Sequence, residues 1–412
     1  MKKSIIPVLF CKKLYIILPQ RGILLRRLLF SLYGFAFFNK FLLLTPVYSI
    51  FMLENGVSDF LLSTMFIVSA VGSIVAQMPI AFITNKIGQR MSMILGQVLK
   101  IIAILLWLII PTYVGFAIGM FLWGVQAGFR SVAFEGLLYD SVNANGMVGD
   151  YTRILGRKST YESIGVALSA LGSLLMFLGY AWVTWLSVFA IVLSIVCLLA
   201  IKYNPPKQIR AKIVPFRKIF RTGMRICLQT PCLITTMLFA LLAANIPYLD
   251  DFLSPIGLQI GIPTEYIGFL SLFLLGCATL GQRFAYKFSK FSDALIYLVV
   301  ALVGILYMVF GVTYSIEFLW LMGIGYLLFY GVYTLLYSRL QHMIPARHRS
   351  VVLSLYTTIN YIIYIGVCGI VGLGSMLGSW RYSIIILGGL LLILCLWGLL
   401  FVRDKCRLSG RI

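Results

Sequence analysis

Twelve stretches of this chain are apolar over a length that only a bilayer explains. A hydrocarbon core about 30 Å thick is crossed by roughly 20 apolar residues of helix. Such stretches occur at 29 to 53, 60 to 84, 93 to 111, 113 to 137, 159 to 179, 182 to 202, 229 to 253, 265 to 285, 294 to 313, 317 to 338, 351 to 373 and 380 to 402. With 61% hydrophobic and 11% charged residues, against roughly a quarter charged in soluble domains, the remainder could not cover a water-facing surface. The expected fold class is an all-α membrane protein with 12 transmembrane helices.

The net charge of +22 is placed so as to orient those helices. If the N-terminus is cytosolic, the tail and the loops at 85 to 92, 138 to 158, 202 to 228, 283 to 293, 339 to 350 and 403 to 412 are cytosolic too. They hold 30 of the 34 Lys and Arg residues. This is the positive-inside pattern of a multi-pass cytoplasmic (inner) membrane protein with both termini cytosolic, whose basic loops meet anionic headgroups rather than nucleic acid. The first 27 residues, with seven bases and no small-residue cleavage site, read as a basic tail and not a cleaved signal. No Cys or His cluster has metal-ligand spacing, so neither metal nor cofactor is expected. The cysteines lie in spans or on the cytosolic side, so no outer disulfide is expected either.

The longest loop divides six spans from six. The chain then reads as a tail at 1 to 28, an N-terminal bundle at 29 to 202, a basic linker at 203 to 228 beginning near Pro205 and Pro206, a C-terminal bundle at 229 to 402 and a tail at 403 to 412. A shift of 205 residues sets Gly56-Val57-Ser58 on Gly261-Ile262-Pro263 and Gln77 on Gln282. That is the trace of a parallel repeat, as in transporters built from two six-helix bundles.

Three segments carry a family resemblance. After the second span the chain reads Ala81-Phe82-Ile83-Thr84-Asn85-Lys86-Ile87-Gly88-Gln89-Arg90. This resembles the loop between helices two and three of the major facilitator superfamily, Gly-x-x-x-Asp-(Arg/Lys)-x-Gly-(Arg/Lys)-(Arg/Lys). Lys86, Gly88 and Arg90 match, whereas Ala81, Asn85 and Gln89 depart from it. The run from Arg339 to Leu355, containing Ile344-Pro345, Arg347 and Arg349, is similar to the family's loop between helices ten and eleven. Glu135-Gly136-Leu137-Leu138-Tyr139-Asp140 looks like the inner end of helix four in one bacterial branch. The resemblance implies a monomeric secondary transporter of a small molecule working by alternating access. It implies gating by the loop at Asn85, Lys86, Gly88 and Arg90, and inner-loop contacts by Asp140, Arg347 and Arg349. The loop carboxylate that helps latch the outward-facing state is replaced by Asn85, so that latch should be weaker or supplied elsewhere. The glycine and proline pattern of drug antiporters in helix five is missing, and Gly165, Gly172 and Gly179 read as small-residue helix packing.

Charges inside the spans point to the working site, because each costs about 2.5 to 3.5 kcal/mol at mid-bilayer unless it faces a cavity or a partner. In this superfamily helices one, four, seven and ten line the central path. That makes Lys40, Arg130 and Glu135 the substrate or coupling candidates and leaves Lys100 on a peripheral helix. The alternative for the three bases is snorkelling towards the headgroups. Glu135 is the expected proton carrier, or else a static partner of Arg130. Asp250 and Asp251 read as solvated residues at the outer interface. Tyr326, Tyr330, Tyr333 and Tyr337 form one face of the tenth span. Such a stripe is more often packing than path, but Tyr330 and Tyr333 are retained as cavity candidates.

The functional expectation is a proton-coupled transporter of a small organic molecule, with export favoured over uptake. A lipid-linked glycan flippase and a polytopic membrane enzyme are the alternatives. The chain lacks a phosphate-cradling Gly-x-x-x-x-Gly-Lys-(Ser/Thr) loop, and its outer loops are too short to hold a catalytic centre.

Overall fold

The computed structural model describes residues 27–144, 151–201, 216–288, 291–344 and 349–402, and these are mostly helical, with no strand among them. The first half contains α1 (27–40), α2 (Tyr48–Glu54), α3 (Asp59–Ile87), α4 (Gln89–Ile109), α5 (Tyr113–Ala144), α6 (Tyr151–Ser169), α7 (Leu171–Leu174) and α8 (Tyr180–Leu199). After α9 (Phe216–Leu228), the second half contains α10 (Pro231–Asn245), α11 (Leu253–Gln259), α12 (Ile267–Phe284), α13 (Asp293–Thr313), α14 (Leu319–Met343), α15 (Arg349–Ser375) and α16 (Trp380–Trp397).

Ten helical stretches among the described residues are long and apolar enough to cross a membrane. The other two stretches of the expected twelve differ for visible reasons. Residues 29 to 53 are interrupted between α1 and α2, and α5 carries Gln126 and Arg130 in its middle. The expected loop at 138 to 158 is also largely helix, since α5 runs to Ala144 and α6 begins by Tyr151. Hydropathy marks where the bilayer ends, and these helices continue beyond it.

The helices form two bundles, α1 to α8 and α10 to α16, which meet through α3 against α15, α2 against α11 and α7 against α12. The 205-residue offset is repeated in the backbone. It carries α2 at 48–54 onto α11 at 253–259, and the end of α1 at 40 onto the end of α10 at Asn245. Gly56 and Gly261 follow α2 and α11 with φ of 84° and 95°, a region that glycine enters without a Cβ clash. Ser58 then caps α3, its hydroxyl accepting from the Leu61 N–H at 3.3 Å, with Asp59 in the first turn favouring the helix dipole.

Gly165 and Gly172 let α6 and α7 lie directly on the first membrane segment. A Cβ on Gly165 would press on the Phe37 carbonyl at 2.6 Å, and one on Gly172 would overlap the Leu43 carbonyl. Gly179, the third glycine of that series, instead makes a turn with φ of 86°.

The bundles are joined at the end of the molecule carrying the Gly56 and Gly261 turns. There Ser254 Oγ donates to the Pro46 carbonyl at 2.7 Å, and Ser173 Oγ donates to the Glu265 carbonyl at 2.9 Å while accepting from Gly268 N–H at 3.0 Å. Phe66 meets Phe252 edge-on at 4.9 Å. The Gly88 turn and α9 lie at the other, basic end.

Candidate substrate site in the central cavity

Two proline-associated breaks create the site. Pro46 and Pro247 lack a backbone N–H, and each biases the preceding residue away from helical geometry. The first segment therefore stops at 40 and resumes at Tyr48, and the seventh stops at Asn245 and resumes as a helix at Leu253. Broken helices at mid-membrane expose backbone groups that must be met by side chains or a cavity. On the first break Lys100 Nζ donates to the Asn39 carbonyl at 2.7 Å and to Asn39 Oδ1 at 3.0 Å, joined by Gln97 Nε2 at 3.1 Å. At the second, the Tyr307 hydroxyl donates to the Pro247 carbonyl at 2.8 Å.

Between the breaks lies a cavity of about 560 Å³, bordered by smaller ones of about 260 and 350 Å³. Its two walls carry opposite charge. Lys40 and Arg130 come from the first half, and Asp250 and Asp251 from the second. Arg130 is 3.9 Å from Glu162 on α6, which in turn pairs with Lys158 at 3.0 Å. Across the cavity, Asp250 accepts from the Tyr326 and Tyr330 hydroxyls, each at 2.8 Å, and Asp251 from the Tyr364 hydroxyl at 2.6 Å. Asp251 lines all three cavities.

Several expectations are corrected by this geometry. Asp250 and Asp251 are not at the outer interface: the α10 break turns them into the cavity. Lys100 is not peripheral, for it is 3% exposed, stands 5.2 Å from the Trp123 ring and holds the first break. Among the described residues, the carboxylate beside Arg130 is that of Glu162, which the sequence pattern does not single out. Glu135 and Asp140 lie on α5, but their side chains fall outside the described residues. The tyrosine stripe divides: Tyr326 and Tyr330 reach Asp250, Tyr333 lines the third cavity, and Tyr337 packs between Tyr333 and Tyr356 at ring distances of 6.0 and 5.6 Å. The acidic pair had a signal in the sequence, two carboxylates following a proline at the middle of an internal repeat. The offset aligns them with Thr45 and Pro46 at the first break.

The family's sequence pattern, described as Major Facilitator Superfamily, matches residues 29–367. The chain belongs to the major facilitator superfamily. It is a transporter and not an enzyme. No curated protein matches it in sequence. Among solved structures, this facilitator superposes on the nucleoside transporter NupG with a TM-score of 0.70 at 10% identity, over 91% of this chain and 98% of that one. A D-xylose-proton symporter gives 0.71 at 12%, covering 93% and 98%. A bacterial homologue of the human lysosomal transporter Spinster, in an inward-facing and unoccupied conformation, gives 0.67 at 15%, covering 94% and 98%.

In this facilitator the signature loop is a tight turn. Gly88, with φ of 86°, ends α3 and starts α4. Arg90 donates to the Ile201 carbonyl at 2.7 Å and so ties α4 to the end of α8 within its own half. Lys86 is exposed, and the Asn85 side chain is outside the described residues. Arg347 and the side chain of Arg349 are also outside them, while nearby Arg339 bonds Asp293 and the Phe291 carbonyl.

Proposed function

We propose that this facilitator moves a small organic molecule across the cytoplasmic membrane by alternating access, coupled to protons, with export favoured over uptake. The observation that carries this reading is the cavity with oppositely charged walls, each wall contributed by one half and centred on a broken helix. Rocking of the halves would expose such a site to either side in turn. With the basic loops in the cytosol, the joined end faces outward. The resemblance of the Glu135 to Asp140 segment to a bacterial branch of the family, together with the lost acid at Asn85, favours export.

Asp251 is the best-placed proton carrier. Asp250 is held within its own half, by two phenols of α14. Asp251 instead sits where the halves touch, with Ser49 Oγ of the first half 3.4 Å from its main-chain oxygen and Tyr48 lining two of the same cavities. A group whose surroundings change when the halves rock can exchange protons with each side in turn. Glu135 is the alternative carrier.

The test uses the full chain in proteoliposomes, with metabolite pools and an imposed pH gradient. Asp251→Asn is expected to abolish gradient-driven accumulation while leaving substrate exchange. Accumulation that survives Asp251→Asn but is lost in Glu135→Gln would move the carrier to α5. Accumulation that survives both would remove proton coupling.

A further inference from the structure

We propose that the substrate is a small zwitterion, held with its acidic group on Lys40 and Arg130 and its ammonium group on Asp250. This rests on the transport reading above and deepens it.

The charge inventory of the cavity leads there. On the first-half wall, Lys40, Lys100 and Arg130 line the cavity with Lys158 behind them, and Glu162 supplies one carboxylate among these four bases; Lys100 is already committed to the Asn39 carbonyl and amide oxygen. Lys40 forms no ion pair among the described residues. On the second-half wall, Asp250 and Asp251 are bonded only by neutral hydroxyl donors, with no cation within ion-pairing distance among the described residues. Among the described residues, each wall thus holds charge that its own half does not neutralise. Such charge is costly at membrane depth unless a partner arrives.

A lone anion would satisfy one wall and leave the other. A lone cation would do the reverse. A molecule with both charges satisfies both walls and adds no net charge to the site when it closes. Asp250 takes the ammonium because it is exposed to the cavity, and its two phenols fix both carboxylate oxygens in place. Between the charged groups the lining is amphipathic, with Tyr48, Trp123 and Tyr248 contributing aromatic surface for an apolar or aromatic body. A volume near 560 Å³ suits a small organic molecule. The acidic group can be a carboxylate or a phosphate, since two separate bases recognise either.

The test uses purified full-length protein, with ligand-induced thermal stabilisation and proteoliposome flux as readouts. Four pools are compared: amino acids with phosphoethanolamine and phosphocholine, the corresponding amines, the corresponding deaminated acids, and uncharged sugars and nucleosides. The zwitterion pool is expected to give the dominant response, and its members separate carboxylate from phosphate. Lys40→Gln and Arg130→Gln should each weaken zwitterion binding by about tenfold or more, the loss expected for a hydrogen bond to a charged group. Asp250→Asn should erase the preference for zwitterions over the deaminated acids. The melting temperature without ligand reports whether each variant is folded. A dominant response to acids, amines or neutral compounds would overturn the proposal while leaving transport intact. So would a zwitterion response indifferent to all three substitutions in folded protein. Silence towards every pool would overturn the transport reading and this one with it.

Discussion

Lys100 places its ammonium 2.7 Å from the main-chain carbonyl of Asn39, one residue before the end of α1. A helix that stops inside the membrane leaves its last carbonyls without intrahelical donors. A cation at that end also meets the negative pole of the helix dipole. The opposite break is tied by neutral groups instead, with Asn245 Nδ2 donating to the Leu241 carbonyl at 2.8 Å and to Asn360 Oδ1 at 2.9 Å. Lys100→Met keeps the stem and removes the donor. It should cost about 1.5 to 3 kcal/mol, measured by thermal or denaturant unfolding in detergent, whereas Arg130→Gln should leave stability nearly unchanged. Equal stability of Lys100→Met and the parent would show that Gln97 alone suffices to hold Asn39.

Gln259 is a hub at the joined end. Its Oε1 accepts from the Tyr314 hydroxyl at 3.0 Å, Ser379 Oγ at 3.0 Å and Trp380 N–H at 3.1 Å, and its Nε2 donates to Asp59 Oδ2 of the other half at 3.3 Å. Asp59→Ala removes only the bond between halves, which is exposed and worth about 1 kcal/mol or less. Gln259→Leu removes all four. Spin labels at Asn55 and Tyr266, one on each half, should therefore show a small added population of longer distances in Asp59→Ala and a larger one in Gln259→Leu. A distance distribution unchanged from the parent in both variants would show that the hub acts within the second half alone.

Gly268 is where α12 presses on the first half. A Cβ there would overlap the Ala170 carbonyl oxygen and stand 2.6 Å from Ser173 Oγ. Since both neighbours are held in place, the helices must separate to admit a side chain. Gly268→Val should shift the conformational equilibrium towards opening of this end, read as lengthened distances between the same two labels. Unchanged distances would mean that the clash is absorbed within α12.

Gly88 tests the signature loop. Its φ of 86° disfavours any side chain. Gly88→Ala should cost about 1 to 2 kcal/mol through backbone strain, although no heavy atom lies within 4 Å of the added Cβ. Lower thermal stability with retained substrate binding would match a structural turn. A change in flux at unchanged stability would instead support the gating expected from the family resemblance.

The sequence was informative wherever a property accumulates along the chain. Hydropathy registers helix by helix, and lysine and arginine collect in the same alternate loops. The 205-residue offset was legible at Gly56 and Gly261 because a left-handed turn restricts the residue that can form it. Family membership followed from Lys86, Gly88 and Arg90 even with Asn85 in place of the usual acid.

The charged walls of the cavity were set by tertiary structure. Asp250 and Asp251 stand near the end of a hydropathic span, and as a continuous helix that span would have delivered them to the outer interface. The break after Asn245 turns them inward, where phenols from α14 and α15, 76 to 113 residues away, bond them. Lys100 was read as peripheral because α4 is peripheral, yet the interruption of α1 gives its ammonium a carbonyl to serve. The sequence by itself determined a two-fold membrane bundle with basic ends, because the bilayer responds to local apolarity and charge. Only tertiary structure decided which interior charges face one another, because that depends on where two helices break and what packs across the breaks.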